Sequence, residues 1–110
     1  MEDSKKPSLD QVIKKLEGLD IREWTRRNND YGPWFLAKIG PLKICVYKLD
    51  KCHRISIESQ NEVMCVKYYN TKKDSIEEKK ISEFYTKVCK EHGEYSKKEF
   101  EEAIEQIFSD

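Results

Sequence analysis

The sequence predicts one α+β domain: an N-terminal helix, a five-stranded (or four-stranded) antiparallel meander sheet, and two C-terminal helices packed on one sheet face. Three observations predict it. Apolar residues recur with a period near 3.6 at both ends of the chain and with a period of two in its middle. Three S-x-x-E/Q sequences stand where the helical stretches begin. The links between the extended stretches are short, which favours antiparallel hairpins over crossovers. With 110 residues the chain forms a single domain, 1–110, since either half alone is too small to bury a core. Residues 1–7 are charged and unpatterned, and are expected to be disordered.

Ser8-Leu9-Asp10-Gln11 has the form of a capping box, so a helix begins there. Leu9, Val12, Ile13 and Leu16 then share one face over 9–17, and Gly18 closes the helix by taking the left-handed conformation. Beyond it Leu19 and Ile21 alternate with Asp20 and Arg22, which predicts a first strand running through Trp24 to Arg27 until Asn28-Asn29-Asp30 breaks it. Trp34 to Ile39 is a second strand, and Gly40-Pro41 turns the chain into a third, Leu42 to Leu49. Arg54 to Glu58 and Val63 to Tyr69 supply the fourth and fifth.

Ser75-Ile76-Glu77-Glu78 and Ser96-Lys97-Lys98-Glu99 announce the last two helices. Ile81, Phe84, Tyr85, Val88 and Cys89 form the stripe of one, which Gly93 ends. Phe100, Ala103, Ile104, Ile107 and Phe108 form that of the other.

Hydrophobic residues make up 37% of the chain and charged residues 38%, so the core is economical and the surface densely charged. No apolar run of about 18 residues exists to cross a membrane, and Met1 to Pro7 lack the apolar stretch of a secretory signal. Cys45, Cys52, Cys65 and Cys89 read as reduced thiols, because three of them fall inside periodic apolar stretches. A cytoplasmic or nuclear protein, not secreted, is expected. Net charge is zero, but Ser75 to Asp110 hold six lysines against ten acids, a net of −4. The mildly basic remainder permits an RNA or acidic-protein partner without the strong field of a dedicated nucleic-acid binder.

Two sets of residues carry the candidate binding chemistry. Arg22, Trp24 and Arg26 project from one face if their segment is extended, with Arg27 beside them; guanidinium forks bridge phosphates and an indole stacks on bases. Lys67, Lys72 and Lys73 extend that nucleic-acid set. The alternative is that Trp24 is core and the arginines blunt a sheet edge. The second set is aromatic. Trp34 and Phe35 are adjacent on a strand, so one faces the core and one faces out. If Ile44 and Ile57 point to the helices, then Cys45, Tyr47, Ser56 and Glu58 point away, joined by Tyr68 or Tyr69 according to register. Trp34, Phe35, Tyr47, Tyr68 and Tyr69 are therefore the candidate protein-binding residues.

Cys52, His53, Cys89 and His92 provide the ligand count of a structural zinc but not its paired spacing, and no metal is expected. A cysteine-dependent enzyme needs a thiol, a histidine and an orienting carboxylate in one place, and no local signature supplies them. G-x-G-x-x-G, Walker and H-E-x-x-H sequences do not occur, so no cofactor or small-molecule substrate is implied.

Leu42 to Glu91, closely spaced strands followed by a helix, is similar in pattern to the kinase-associated C-terminal domain and to the small Alu-RNA-binding subunits of the signal recognition particle. For the second, Cys65-Val66-Lys67-Tyr68 and Lys79-Lys80-Ile81-Ser82-Glu83-Phe84 carry the likeness. Both resemblances imply a helix-and-sheet fold that binds without catalysing. The strands before Leu42 and the last helix lie outside the pattern, and no functional residue carries over. The sequence thus leads to a non-enzymatic protein-interaction module: a small subunit, adaptor or immunity-type regulator within a larger assembly. The alternatives are a structured-RNA-binding subunit and a small cysteine-dependent enzyme.

Overall fold

The computed structural model describes residues 7–60, 66–70 and 75–109, with the backbone alone at 66, 67 and 70. Helix α1 spans Leu9–Glu17 and opens with the capping box: the Ser8 hydroxyl accepts the Gln11 N–H at 3.1 Å, and the Gln11 amide oxygen accepts the Ser8 N–H at 2.8 Å. Leu9, Val12 and Leu16 are buried. Gly18 differs from the expectation. Its φ is −80°, right-handed, and its N–H bonds back to Lys15 and Leu16 carbonyls. No left-handed exit is needed, because the chain goes directly into a second helical turn.

That turn, a 3₁₀ helix over Ile21–Glu23, corrects the predicted first strand. Asp20 caps it, its carboxylate taking the Arg22 N–H at 2.9 Å, and the Trp24 N–H closes it on the Ile21 carbonyl. The strand β1 is Thr25–Asn29, so it starts later and includes the asparagines read as its end. The hairpin turn is Asp30-Tyr31, held by the Tyr31 N–H on Asn29 Oδ1 at 2.8 Å.

Strands β2 (Gly32–Ile39), β3 (Leu42–Lys48), β4 (His53–Ser59) and β5 (Val66–Asn70) follow, and the five pair antiparallel in sequence order. The β2–β3 turn needs a positive φ at its first central residue; Gly40 supplies it at 56°, and Pro41 follows with its fixed negative φ. One sheet face, carrying Phe35, Ala37, Ile44, Val46, Ile55 and Tyr69, packs with the apolar sides of the helices into the core.

The last described element is one helix, α2, Ile76–Phe108, where two were predicted. Ser75 caps it, accepting the Glu78 N–H at 3.0 Å. Ile81, Phe84, Tyr85, Val88 and His92 are its buried residues, and Lys80 ties it to Asp10 of α1 at 2.8 Å. Gly93 does not stop it. A helix-interior glycine costs only about 1 kcal/mol relative to alanine, which the good helix formers on both sides offset. Ser96 stands one turn beyond His92, with its hydroxyl 3.2 Å from the ring Nδ1, and does not cap, because the N–H groups it would serve are already in the helical ladder. From Ser96 onward α2 leaves the body and is exposed on every side. The expected packing of a third helix on the sheet is therefore replaced by a projecting arm. Among the described residues no helix is long and apolar enough to cross a membrane.

Candidate functional site

Among the described residues no element lies over the sheet face away from the helices. Strand alternation places Trp34 and Leu36 of β2, Cys45 and Tyr47 of β3, Arg54, Ser56 and Glu58 of β4, and Tyr68 of β5 on it. Register then lines them up. Leu36 pairs with Cys45, Cys45 with Ser56, and Ser56 with Tyr68, while Arg27 stands opposite Trp34 and Tyr47 opposite Arg54. A concavity of about 300 Å³ results, lined by Asn29, Trp34, Cys45, Tyr47, Ser56, Glu58 and Tyr68. Cys45 and Ser56 are its buried residues, Ser56 only 1% exposed, and the aromatic side chains stand around them.

Glu58 organises the polar part. Its carboxylate accepts the Ser56 hydroxyl at 3.3 Å, lies 4.0 Å from the Cys45 sulfur, and meets Lys43 Nζ at 3.5 Å. Burial, and then the negative charge of Glu58, push the Cys45 thiol up, with Ser56 and Lys43 opposing. Cys45 is therefore a neutral thiol at physiological pH. Burial also raises Tyr47, against the Arg54 guanidinium that favours its ionised form. Arg54 in turn lies 5.4 Å from the Tyr68 ring centre, in cation–π contact.

Of the predicted protein-binding residues, Trp34, Tyr47 and Tyr68 are brought together here. Phe35 and Tyr69 belong to the covered face: Phe35 packs edge-on against Tyr85 at 6.2 Å, and Tyr69 donates its hydroxyl hydrogen to the Pro7 carbonyl. The nucleic-acid set is dispersed. Arg22 sits in the 3₁₀ turn with its guanidinium on the Asp20 carboxylate at 3.1 and 3.2 Å; that pairing lowers the Asp20 pKa and raises that of Arg22. Trp24 is 5% exposed, with its indole edge-on to Phe84 at 6.1 Å. Arg26 pairs with Phe35 in register and so takes the opposite sheet face from Arg27. Lys67 stands opposite Ile57 in β5 with its side chain outside the description, and Lys72 and Lys73 lie outside the described residues altogether.

Cys52, His53, Cys89 and His92 do not assemble. Among the described residues no group of three histidines, cysteines or acids is placed to hold a metal ion. Cys45, Cys52 and Cys89 are free thiols. Burial raises Cys89 as it does Cys45.

Two features of the surface were not read from the sequence. Asn29, expected to break the first strand, lines the concavity. Phe100, Ile104, Ile107 and Phe108, assigned to the core, are 66, 43, 71 and 77% exposed on the arm. Comparison with protein-family models, curated proteins and solved structures finds no match to this chain.

Proposed function

We propose that this chain is a non-enzymatic protein-interaction module, a small subunit, adaptor or immunity-type regulator, and that its open sheet face receives a segment of another protein. The observation that carries this reading is the make-up of the concavity: three aromatic side chains and the Glu58 carboxylate line it, and among the described residues no lysine or arginine does. Tyrosine and tryptophan give large contact area with a polar tip, the chemistry of protein-interface anchors. A carboxylate at the same place disfavours phosphates. The dispersal of Arg22, Trp24 and Arg26 works in the same direction.

The test is a tagged pull-down from the native source, nuclease-treated and untreated, with the wild-type chain and with Trp34→Ala/Tyr68→Ala. The reading expects one protein partner that survives nuclease and is lost with the double variant. A second reading, structured-RNA binding, draws on the cation–π contact of Arg54 with Tyr68 and on Arg27, which stands opposite Trp34 in the strand register. It expects recovery that collapses with nuclease and falls steeply as salt rises.

A further inference from the structure

We propose that the projecting C-terminal part of α2 is a second docking element, inserted into an apolar groove rimmed by lysine or arginine on a partner protein. Phe100, Ile104, Ile107 and Phe108 lie at i, i+4, i+7 and i+8 and so form one stripe along the helix. All four are exposed. An aromatic side chain alone covers about 150–250 Å², so the stripe presents on the order of 500 Å² of apolar surface, the size at which a monomer's largest patch marks an interaction site. A single convex helix encloses nothing. It is the part that inserts, and anchors at this spacing are those of a helix laid in a groove.

Charge specifies the groove. Lys97 and Lys98 stand at the base of the arm, and from Glu99 to Asp110 there is no basic residue, whereas Glu99, Glu101, Glu102, Glu105 and Asp110 are acidic. The last turn of α2 carries no cation, so the partial negative charge of the helix end adds to these carboxylates. A groove with a cationic rim offsets both. RNA is repelled by the same field, and a second copy laid along the stripe brings two acidic segments together. The stripe is separate from the open sheet face, and its role does not depend on what that face binds.

The experiment places a photo-crosslinking phenylalanine analogue at Ile107 of the full chain in cells of the source organism, with the same analogue at exposed Thr86, on the body half of α2, as control. Adducts are expected at Ile107 and not at Thr86, to one protein, through a peptide that mass spectrometry reads as apolar with lysine or arginine beside it. Glu101→Lys/Glu105→Lys should cut the yield at least about tenfold, equivalent to roughly 1.4 kcal/mol, while near-ultraviolet circular dichroism stays that of the wild type. Adducts to the chain itself, a peptide without basic flanks, a yield indifferent to charge reversal, or no adduct above the control would each overturn the proposal.

Discussion

The Glu78 carboxylate holds His53 twice: one oxygen accepts the His53 backbone N–H at 2.7 Å, and the other meets ring Nδ1 at the same distance. This contact joins the start of β4 to the first turn of α2, in a site where both side chains are largely buried. A hydrogen bond to a charged group contributes about 1.5–3 kcal/mol, more than a neutral one. Glu78→Ala is therefore expected to lower unfolding free energy by about 2 kcal/mol in urea titration, with Glu78→Gln intermediate. Equal stability of all three proteins would remove this contact from the fold's supports.

Trp24 separates the core from the nucleic-acid reading. Its indole fills space against Phe84, so Trp24→Ala should cost about 3–5 kcal/mol. Arg22→Ala, at an exposed turn, should leave the urea midpoint where it is. A stable Trp24→Ala protein would return Trp24 to the surface and revive the stacking role.

Tyr85 predicts how the fold responds to alkali. Burial is the main cause that pushes its hydroxyl up to about 12, and the neutral form donates to the Pro33 carbonyl at 2.6 Å. Unfolded, the group ionises near its ordinary 10. The folded state thus keeps a proton that the unfolded chain releases, so this contribution is full below pH 10 and is lost as pH rises from 10 through 12. It amounts to on the order of 2 kcal/mol. Urea midpoints measured across that range should fall, and Tyr85→Phe should flatten part of the decline; an unchanged slope in the variant would assign the effect elsewhere.

Gly93 tests the continuity of α2. A β-carbon there meets nothing within 4 Å, and φ is not in the left-handed region. Gly93→Ala should raise helicity by circular dichroism and stabilise by about 1 kcal/mol. If a helix ended at Gly93 in a left-handed cap, the same change would destabilise.

Much of this architecture was legible because it is local. Ser8-x-x-Gln11 and Ser75 mark two helix starts, and Gly40-Pro41 fixes a hairpin. The open face followed from one premise, that Ile44 and Ile57 point inward, since alternation then turns Cys45, Tyr47, Ser56 and Glu58 outward. Tyr68 against Tyr69 needed the β4–β5 register, which pairs Ser56 with Tyr68. Where the structure departs from the pattern, the causes are physical. Leu19-Asp20-Ile21-Arg22 alternates like a strand, but over four residues a 3₁₀ turn capped by Asp20 looks the same. The third helix was a matter of room. Five strands about 4.8 Å apart make a sheet roughly 24 Å wide, and helices pack about 10 Å apart, so α1 and the first part of α2 leave no width for a third helix. An apolar period says that a stripe exists; it does not say that anything is left for it to cover.

Because no break separates the body from the arm, the direction of the apolar stripe is a matter of phase. Each residue of helix turns the chain about 100° and advances it 1.5 Å. A single residue inserted after Gly93 would swing Phe100, Ile104 and Ile107 by that angle while scarcely lengthening the arm, whereas an insertion of seven would restore the bearing and carry the stripe about 10 Å farther out. The chain is thereby a protractor as much as a spacer: its residue count from His92 to Phe108 sets the bearing at which anything held on the arm meets the sheet.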